Sequence, residues 1–233
     1  MERVETYVRR YAIDELLSDD LLAELRPVGA GPGDLVIRAG DRVRDLSFFV
    51  EGRVKAYSAL ENGQSVMAGI YRPLDVFGEA ELFSADRYTL SIEALVPSLC
   101  LCLPVESIRR SAERNCGLFM YLCGRLGAKL SDRSLAESIN LRYPVENRLA
   151  SYLLAVSDDS DGLPGTDDLG ELADFLGASY RQLGRVVRRF RDEGILEDAR
   201  GRIRVLDRAA LVPLARDLYR RSPSLRRVRA TPR

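Results

Sequence analysis

The stretch TDDLGELADFLGASYRQLGRVVRRFRDEGILEDARGRIRV, residues 166–205, decides the fold of the C-terminal part of this chain. It reads as a helix, a Gly-containing turn, a strongly basic second helix and a short hairpin. Asp168 stands three residues before Glu171, and Ser179 three before Gln182. Both pairs have capping-box spacing, so one helix starts after Leu163-Pro164-Gly165 and another after Gly177-Ala178. In the second helix Leu183, Val186, Val187 and Phe190 share one side, and Arg181, Arg185, Arg188 and Asp192 the other.

A helix with one apolar and one basic face suits the major groove of DNA, where the arginine fork matches guanine O6 and N7 with two parallel hydrogen bonds. Ser179, Tyr180, Arg181, Gln182 and Arg185 occupy its first turns, the part that reaches deepest. Arg188 and Arg189, with Arg202 and Arg204 on the hairpin, are placed for phosphates. Gly184, on the exposed side, removes a Cβ where backbone and DNA could approach closely. A merely solvated basic helix would leave the caps, the turn and the hairpin as coincidences.

The chain has 233 residues and a net charge of zero, which hides a polarity. From Ala178 onward there are sixteen Arg against six Asp and Glu, so the last quarter carries +10 and the remainder −10. Such a chain can neutralise phosphates at one end while the acidic remainder limits indiscriminate binding. No apolar run approaches the ~20 residues of a membrane span. MERVETYVRRY lacks a signal peptide's apolar core, so a cytoplasmic chain without membrane contact is expected. There is no histidine, which excludes His-ligated metal and Ser-His or Cys-His catalysis within the chain. No P-loop or dinucleotide Gly fingerprint is present, and no enzyme, cofactor or metal is expected.

Residues 30–104 carry short apolar runs cut by Gly, Asn, Asp and Pro, with Glu51-Gly52 and Asn62-Gly63 as turn signals. This predicts a sandwich or jelly roll, with YAIDELLSDDLLAEL before it as a packed amphipathic helix. Asn115 to Leu141 reads as one long helix. Its narrow stripe of Leu118, Leu122, Leu126, Leu130, Leu135 and Ile139 needs covering, by the chain's own β domain or by a second copy. Tyr143-Pro144 ends it and RYPVENRLASYLLAV starts the next helix, followed by the polar connection SDDSDGLPGTDD. Cys100 and Cys102 would share a strand face, and Cys116 and Cys123 a helix face. They read either as small buried hydrophobes or as a group that could converge on a metal or a redox pair, and a reducing cytoplasm argues against structural disulfides.

The order of parts resembles the CRP/FNR superfamily of bacterial transcription regulators over nearly the whole chain. GDLVIRAGDRVRDLSFFVEGRVKAYSALENGQ is similar to that family's opening strands, and FGEAELF, with Phe77, Gly78 and Glu79, to the start of its phosphate-binding cassette. SLCLCLP combined with SYRQLGRVVRRF looks like the YeiL-type branch more than the cyclic AMP receptor branch. The family's cyclic-nucleotide binders continue to an R-S-A or R-T-A triplet, whose Arg pairs with the cyclic phosphate and whose Ser or Thr donates to it. Here the stretch is Asp86-Arg87-Tyr88-Thr89-Leu90, with Tyr88 at the Arg position. Tyrosine cannot supply that charge. Arg87 could do so only if the loop were a residue shorter. FNR-type clusters need N-terminal cysteines, and none precedes Cys100. In the reading helix Arg181 stands where the family commonly has Glu, so the half-site should differ from those of its familiar members.

The expected fold is thus α+β. An N-terminal cyclic-nucleotide-binding-like β-roll sensor spans 1–114, a long dimerisation helix 115–142, a winged helix-turn-helix 143–221 and a basic, disordered tail 222–233. The expected function is homodimeric, sequence-specific transcription regulation on double-stranded DNA, with a degenerate effector pocket of Phe77, Gly78, Glu79, Arg87, Tyr88 and Thr89. The resemblance adds RNA polymerase as a partner and leaves a small-molecule effector open. The competing reading is a small-molecule sensor whose C-terminal domain contacts protein instead of DNA.

Overall fold

A computed structural model describes residues 2–59, 65–111, 114–156, 169–199, 202–216 and 218. The chain divides at Lys129/Leu130 into two compact units. The tail 222–233, the Asn62-Gly63 turn and Asp168 lie outside the described residues.

In the first unit the strands are β1 (Arg26–Ala30), β2 (Leu35–Ile37), β3 (Asp45–Glu51), β4 (Val54–Ala59), β5 (Ser65–Tyr71), β6 (Asp75–Phe77), β7 (Ser91–Ala94) and β8 (Ser98–Pro104). They form two four-stranded antiparallel sheets, β1-β8-β3-β6 and β2-β7-β4-β5. The alternation in SLCLCLP shows why the first sheet lies in the interior. Successive side chains of a strand point to opposite faces. Cys100 and Cys102 join Phe49, Phe77, Ile37 and Ile92 in a core drawn from strands of both sheets. Leu99, Leu101 and Leu103 join a second core with Leu46, Phe48 and the helices. A strand buried on both faces reads as a continuous apolar run, as this one does. The Glu51-Gly52 turn signal is realised between β3 and β4. Gly52 has φ +103° and a Cβ there would lie 2.7 Å from the Pro97 carbonyl oxygen, so only glycine fits without shifting backbone.

The helix expected over 11–25 is interrupted. The observed pieces are α1 (Glu2–Arg10), a 3-10 turn (Ile13–Glu15) and α2 (Asp19–Ala23). Ala12 has left-handed backbone at φ 51°, which ends α1, and Ser18 is extended before Asp19-Asp20 starts α2. The apolar contacts survive the breaks: Ile13, Leu17, Leu21 and Leu25 are all buried in the same core. That core is completed by α4 (Val105–Arg110) and by the first turns of α5 (Cys116–Arg142); α3 (Glu81–Ser84) contributes Leu82.

The second unit contains the rest of α5, α6 (Val145–Val156), α7 (Leu169–Phe175), α8 (Tyr180–Asp192), the hairpin β9 (Leu196–Ala199) with β10 (Arg202–Val205), and α9 (Arg208–Ala215). One core joins them, with Ile139, Leu149, Leu153, Leu172, Leu183, Val187, Phe190 and Leu211 buried together. This is the winged helix-turn-helix arrangement. Together with the β-roll, it makes the chain the α+β protein that the sequence suggests.

Candidate nucleic-acid interface and sensor pocket

Helix α8, the candidate reading helix, is defined at both ends by hydrogen bonds. At its start the capping box forms: Gln182 N donates to Ser179 Oγ at 3.2 Å, and Ser179 N to Gln182 Oε1 at 3.0 Å. The turn before it closes α7 by a Schellman motif, with Ala178 N donating to Ala173 O at 2.9 Å and Gly177 N to Asp174 O at 3.1 Å. A second such motif ends α8, where Ile195 N donates to Phe190 O at 2.8 Å and Gly194 N to Arg191 O at 2.9 Å. Both C′ residues are glycine with positive φ, the conformation the motif requires. The first turn is further clamped by buried Arg148, which donates to Asn140 Oδ1 (2.9 Å) and to the Leu176 and Gly177 carbonyls.

These constraints bury Leu183, Val187 and Phe190 and leave Tyr180, Arg181, Gln182, Arg185 and Arg188 exposed. No atom lies within 4 Å of a Cβ placed on Gly184, so the helix backbone is open there. Arg189 differs from its neighbours: its guanidinium lies 2.6 Å from Glu146 of α6 and 3.7 Å from Glu193. Glu146 raises the Arg189 pKa and fixes the side chain against the helix behind it. On the hairpin, Arg204 pairs across the strands with Glu197 at 3.2 Å, and the side chain of Arg202 lies outside the described residues.

In the sensor unit every polar group that the cassette resemblance singles out has an internal partner. Gly78 has φ +87°, and a Cβ there would come within 2.8 Å of the Asp45 carbonyl oxygen. Tyr88, half-buried, donates its hydroxyl to that same carbonyl at 2.8 Å and accepts from Asp45 N at 3.3 Å. Burial pushes the Tyr88 phenol above its ordinary value, so it stays neutral. Thr89 gives both its donors to one acceptor, with N at 3.0 Å and Oγ1 at 2.6 Å from Glu81 Oε1. Arg87 donates to the Gly40 carbonyl at 2.7 Å. Phe77 packs on Phe49 and Tyr71.

Glu79 meets a residue that sequence reasoning missed. Lys129 reaches from α5 to Glu79 Oε1 at 2.5 Å, Asp75 Oδ1 at 3.1 Å and the Val76 carbonyl at 2.5 Å. Its ammonium also lies 5.0 Å from the Phe77 ring centroid and 5.3 Å from that of Tyr71. Arg125, one turn earlier, pairs with Asp75 at 2.8 Å. Two buried carboxylates thus face one buried cation, Arg125, and one half-buried cation, Lys129. Burial pushes the Glu79 carboxyl up against the opposing pull of Lys129. Burial also works against the Lys129 ammonium, but Asp75 and Glu79 outweigh it and raise that pKa. The signal was present: Leu118, Leu122, Arg125 and Lys129 continue one line along the helix in steps of four, three and four.

The same geometry corrects the leucine stripe. Leu118 and Leu122 are buried in the sensor core, and Leu135 and Ile139 pack in the core of the second unit. Leu126 is half-buried, and Leu130 is 72% exposed. Each four-residue step overshoots a turn of 3.6 by about 40°, so the series 118, 122, 126, 130 winds off its starting face. A different stripe is exposed, formed by Cys116, Met120, Cys123, Gly127, Leu130, Ser134 and Leu141, with Met120 at 73% and Leu141 at 88%. Of the cysteines, Cys100 and Cys102 are buried and burial raises both thiols, while Cys116 and Cys123 are exposed. No cluster of metal-ligating residues occurs among the described residues.

A capped basic helix with a wing in one unit and a β-roll carrying a cassette in the other define a two-part regulator of DNA-binding type. A cyclic nucleotide-binding domain matches residues 28–115 and a Crp-like helix-turn-helix domain residues 147–214, and the chain belongs to the CRP/FNR superfamily of bacterial transcription regulators. It is similar to the regulatory protein YeiL of Escherichia coli O157:H7, at 25% identity over 207 residues, 89% of this chain and 93% of that protein. Two solved structures share the fold. A CRP-family transcriptional regulator from Thermus thermophilus, TTHB099, has a TM-score of 0.68 at 21% identity, covering 81% of this chain and 96% of that one. A crp/fnr-family regulator from Eubacterium rectale has a TM-score of 0.73 at 18% identity, covering 89% and 99%. These are regulators, a non-enzyme family that binds DNA and is typically dimeric. Among the described residues no helix is long and apolar enough to cross a membrane.

Replacing Lys129 with Met should destabilise the sensor unit by about 3 kcal/mol at neutral pH, because Glu79 is left buried without its cation. The folded pKa of Glu79 then rises further above its unfolded value. The lost stability should therefore return as pH falls through that folded value. Urea unfolding of Lys129→Met against pH, with the double variant Lys129→Met/Glu79→Gln as the pH-independent reference, measures this.

Proposed function

We propose that this chain is a homodimeric, sequence-specific transcription regulator that acts in the cytoplasm on double-stranded DNA and engages RNA polymerase there. Residues 1–114 serve as sensor, 115–142 as dimerisation helix and 143–221 as reader. The observation that carries the reading is α8, whose caps and buried Leu183, Val187 and Phe190 present Arg181, Arg185 and Arg188 outward together. Arg181 and Arg185 read base edges, with Ser179, Tyr180 and Gln182 beside them. Arg188 and the wing residues Arg202 and Arg204 hold phosphates. Arg189, tied to Glu146, orients the helix more than it binds. With Arg181 in the first turn, a guanine is favoured where a carboxylate would select cytosine. Titration of a selected DNA site by fluorescence anisotropy tests the assignment: Arg185→Ala should lose about 1–3 kcal/mol on the specific site and relax discrimination at one base pair. An unchanged specificity ratio would overturn it.

The dimer is built on the exposed stripe of α5. Its positions 116, 120, 123, 127, 130 and 134 follow the alternating steps of a two-helix seam, Leu141 lies one heptad beyond Ser134, and Met120, Leu130 and Leu141 are large apolar side chains exposed in one chain. Leu130→Glu should give a single-chain mass by sedimentation and weaken DNA binding, since two linked half-sites gain from effective concentration and one does not.

Cyclic AMP is not the effector. The charge for its phosphate is replaced by Tyr88, the Thr89 donors are held by Glu81, and Glu79 is held by Lys129. A ligand shifts an equilibrium only by its difference in affinity between two states, and here each contact would first have to be broken. Calorimetry with cyclic AMP at micromolar concentration should register no saturable heat; saturable binding abolished by Arg87→Ala would overturn this.

A further inference from the structure

Two of the four cysteines lie on the exposed stripe of α5, and they occupy equivalent positions in it. Cys116 and Cys123 are seven residues apart, with Met120 between them and Gly127 after, and both are exposed. Steps of four and three alternate along 116, 120, 123, 127 and 130, so Cys116, Cys123 and Leu130 share one position of the heptad. In a parallel helix pair on a two-fold axis, such a residue faces its own copy. No atom lies within 4 Å of a Cβ placed on Gly124 or Gly127, and these small residues, one and four positions after Cys123, let two backbones approach there. Helix axes 8–10 Å apart, less two Cα radii of about 2.3 Å, leave facing Cα atoms roughly 3.4–5.4 Å apart. The wider half of that range is a separation that a disulfide spans. The interior pair differs, since Cys100 and Cys102 are enclosed between the sheets.

We infer that Cys123 is an oxidation site, forming a disulfide with Cys123 of a second copy across the seam. The inference rests on the dimer proposed above. The oxidant is a hydroperoxide. One Cys123 thiolate attacks the peroxide O–O bond, giving a sulfenic acid and, from hydrogen peroxide, a hydroxide that takes up a proton as water. The second Cys123 thiolate attacks the sulfenic sulfur, the S–S bond forms and hydroxide leaves, again taking up a proton. Two thiols lose two electrons and two protons in all, and the peroxide becomes two waters. The product is a dimer that dilution cannot dissociate, so the pairing of two reading helices no longer depends on protein concentration.

The test uses the full chain, reduced and then treated with hydrogen peroxide. Non-reducing electrophoresis and peptide mass spectrometry read the product, and sedimentation in the presence of reductant reads the mass beforehand. Expected are a dimeric mass when reduced and a cross-linked dimer after peroxide in the wild type and in Cys116→Ser. The cross-link should be absent in Cys123→Ser and reversed by added thiol. Serine at this exposed position leaves the core untouched, and the reduced dimeric mass of Cys123→Ser confirms that the seam is intact. A reduced wild-type dimer that gives no cross-link, or a Cys123→Ser dimer that still gives one, overturns the inference and leaves the dimer standing. A single-chain mass under reductant overturns the dimer reading instead.

Discussion

A helix completes a turn every 3.6 residues, and α5 uses that geometry to meet three demands with 27 residues. Leu118, Leu122, Arg125 and Lys129 form one line and belong to the sensor unit. Leu135 and Ile139 belong to the core of the second unit. What remains is a stripe of small and apolar residues that neither unit uses. A residue inserted anywhere in this helix would turn every later side chain by about 100°, and would exchange core positions for exposed ones.

Within the sensor, polar satisfaction is internal. Buried carboxylates are costly unless they are paired or hydrogen-bonded: Asp75 and Glu79 meet cations, and Glu81 accepts two hydrogen bonds from Thr89. The partners come from α5 and from the loop that carries Thr89, so these contacts hold α5 against β6 and that loop against α3. The donors of Thr89 and Tyr88, at the positions that the family resemblance assigns to the phosphate contact, go to Glu81 and to the Asp45 carbonyl.

What the sequence disclosed follows from the range of the interactions involved. The Ser179 and Gln182 cap, the Gly177 and Gly194 helix ends and the buried face of α8 are set by contacts within a few residues, and all could be read locally. The β-roll was legible from turn residues and from the two-faced run SLCLCLP. The break at Ala12 was not, because nothing in the local composition requires left-handed backbone there. The leucine stripe does not form one face, because the steps of four in 118, 122, 126 and 130 look regular in print and diverge on a helix. The roles of Lys129 and Arg125 were not legible locally, since their carboxylate partners lie about fifty residues away in sequence.

The pairing of Arg189 with Glu146 and Glu193 bears on how the reader responds to salt. A cation displaces condensed counterions from DNA only to the extent that its charge is available to the polyanion. Arg189 arrives already compensated, and Arg204 shares its charge with Glu197. The ionic-strength dependence of binding should then be shallower than a count of arginines implies. Affinity would thereby lean more on base contacts and less on the bulk field, a balance that favours discrimination among sites over retention on arbitrary sequence.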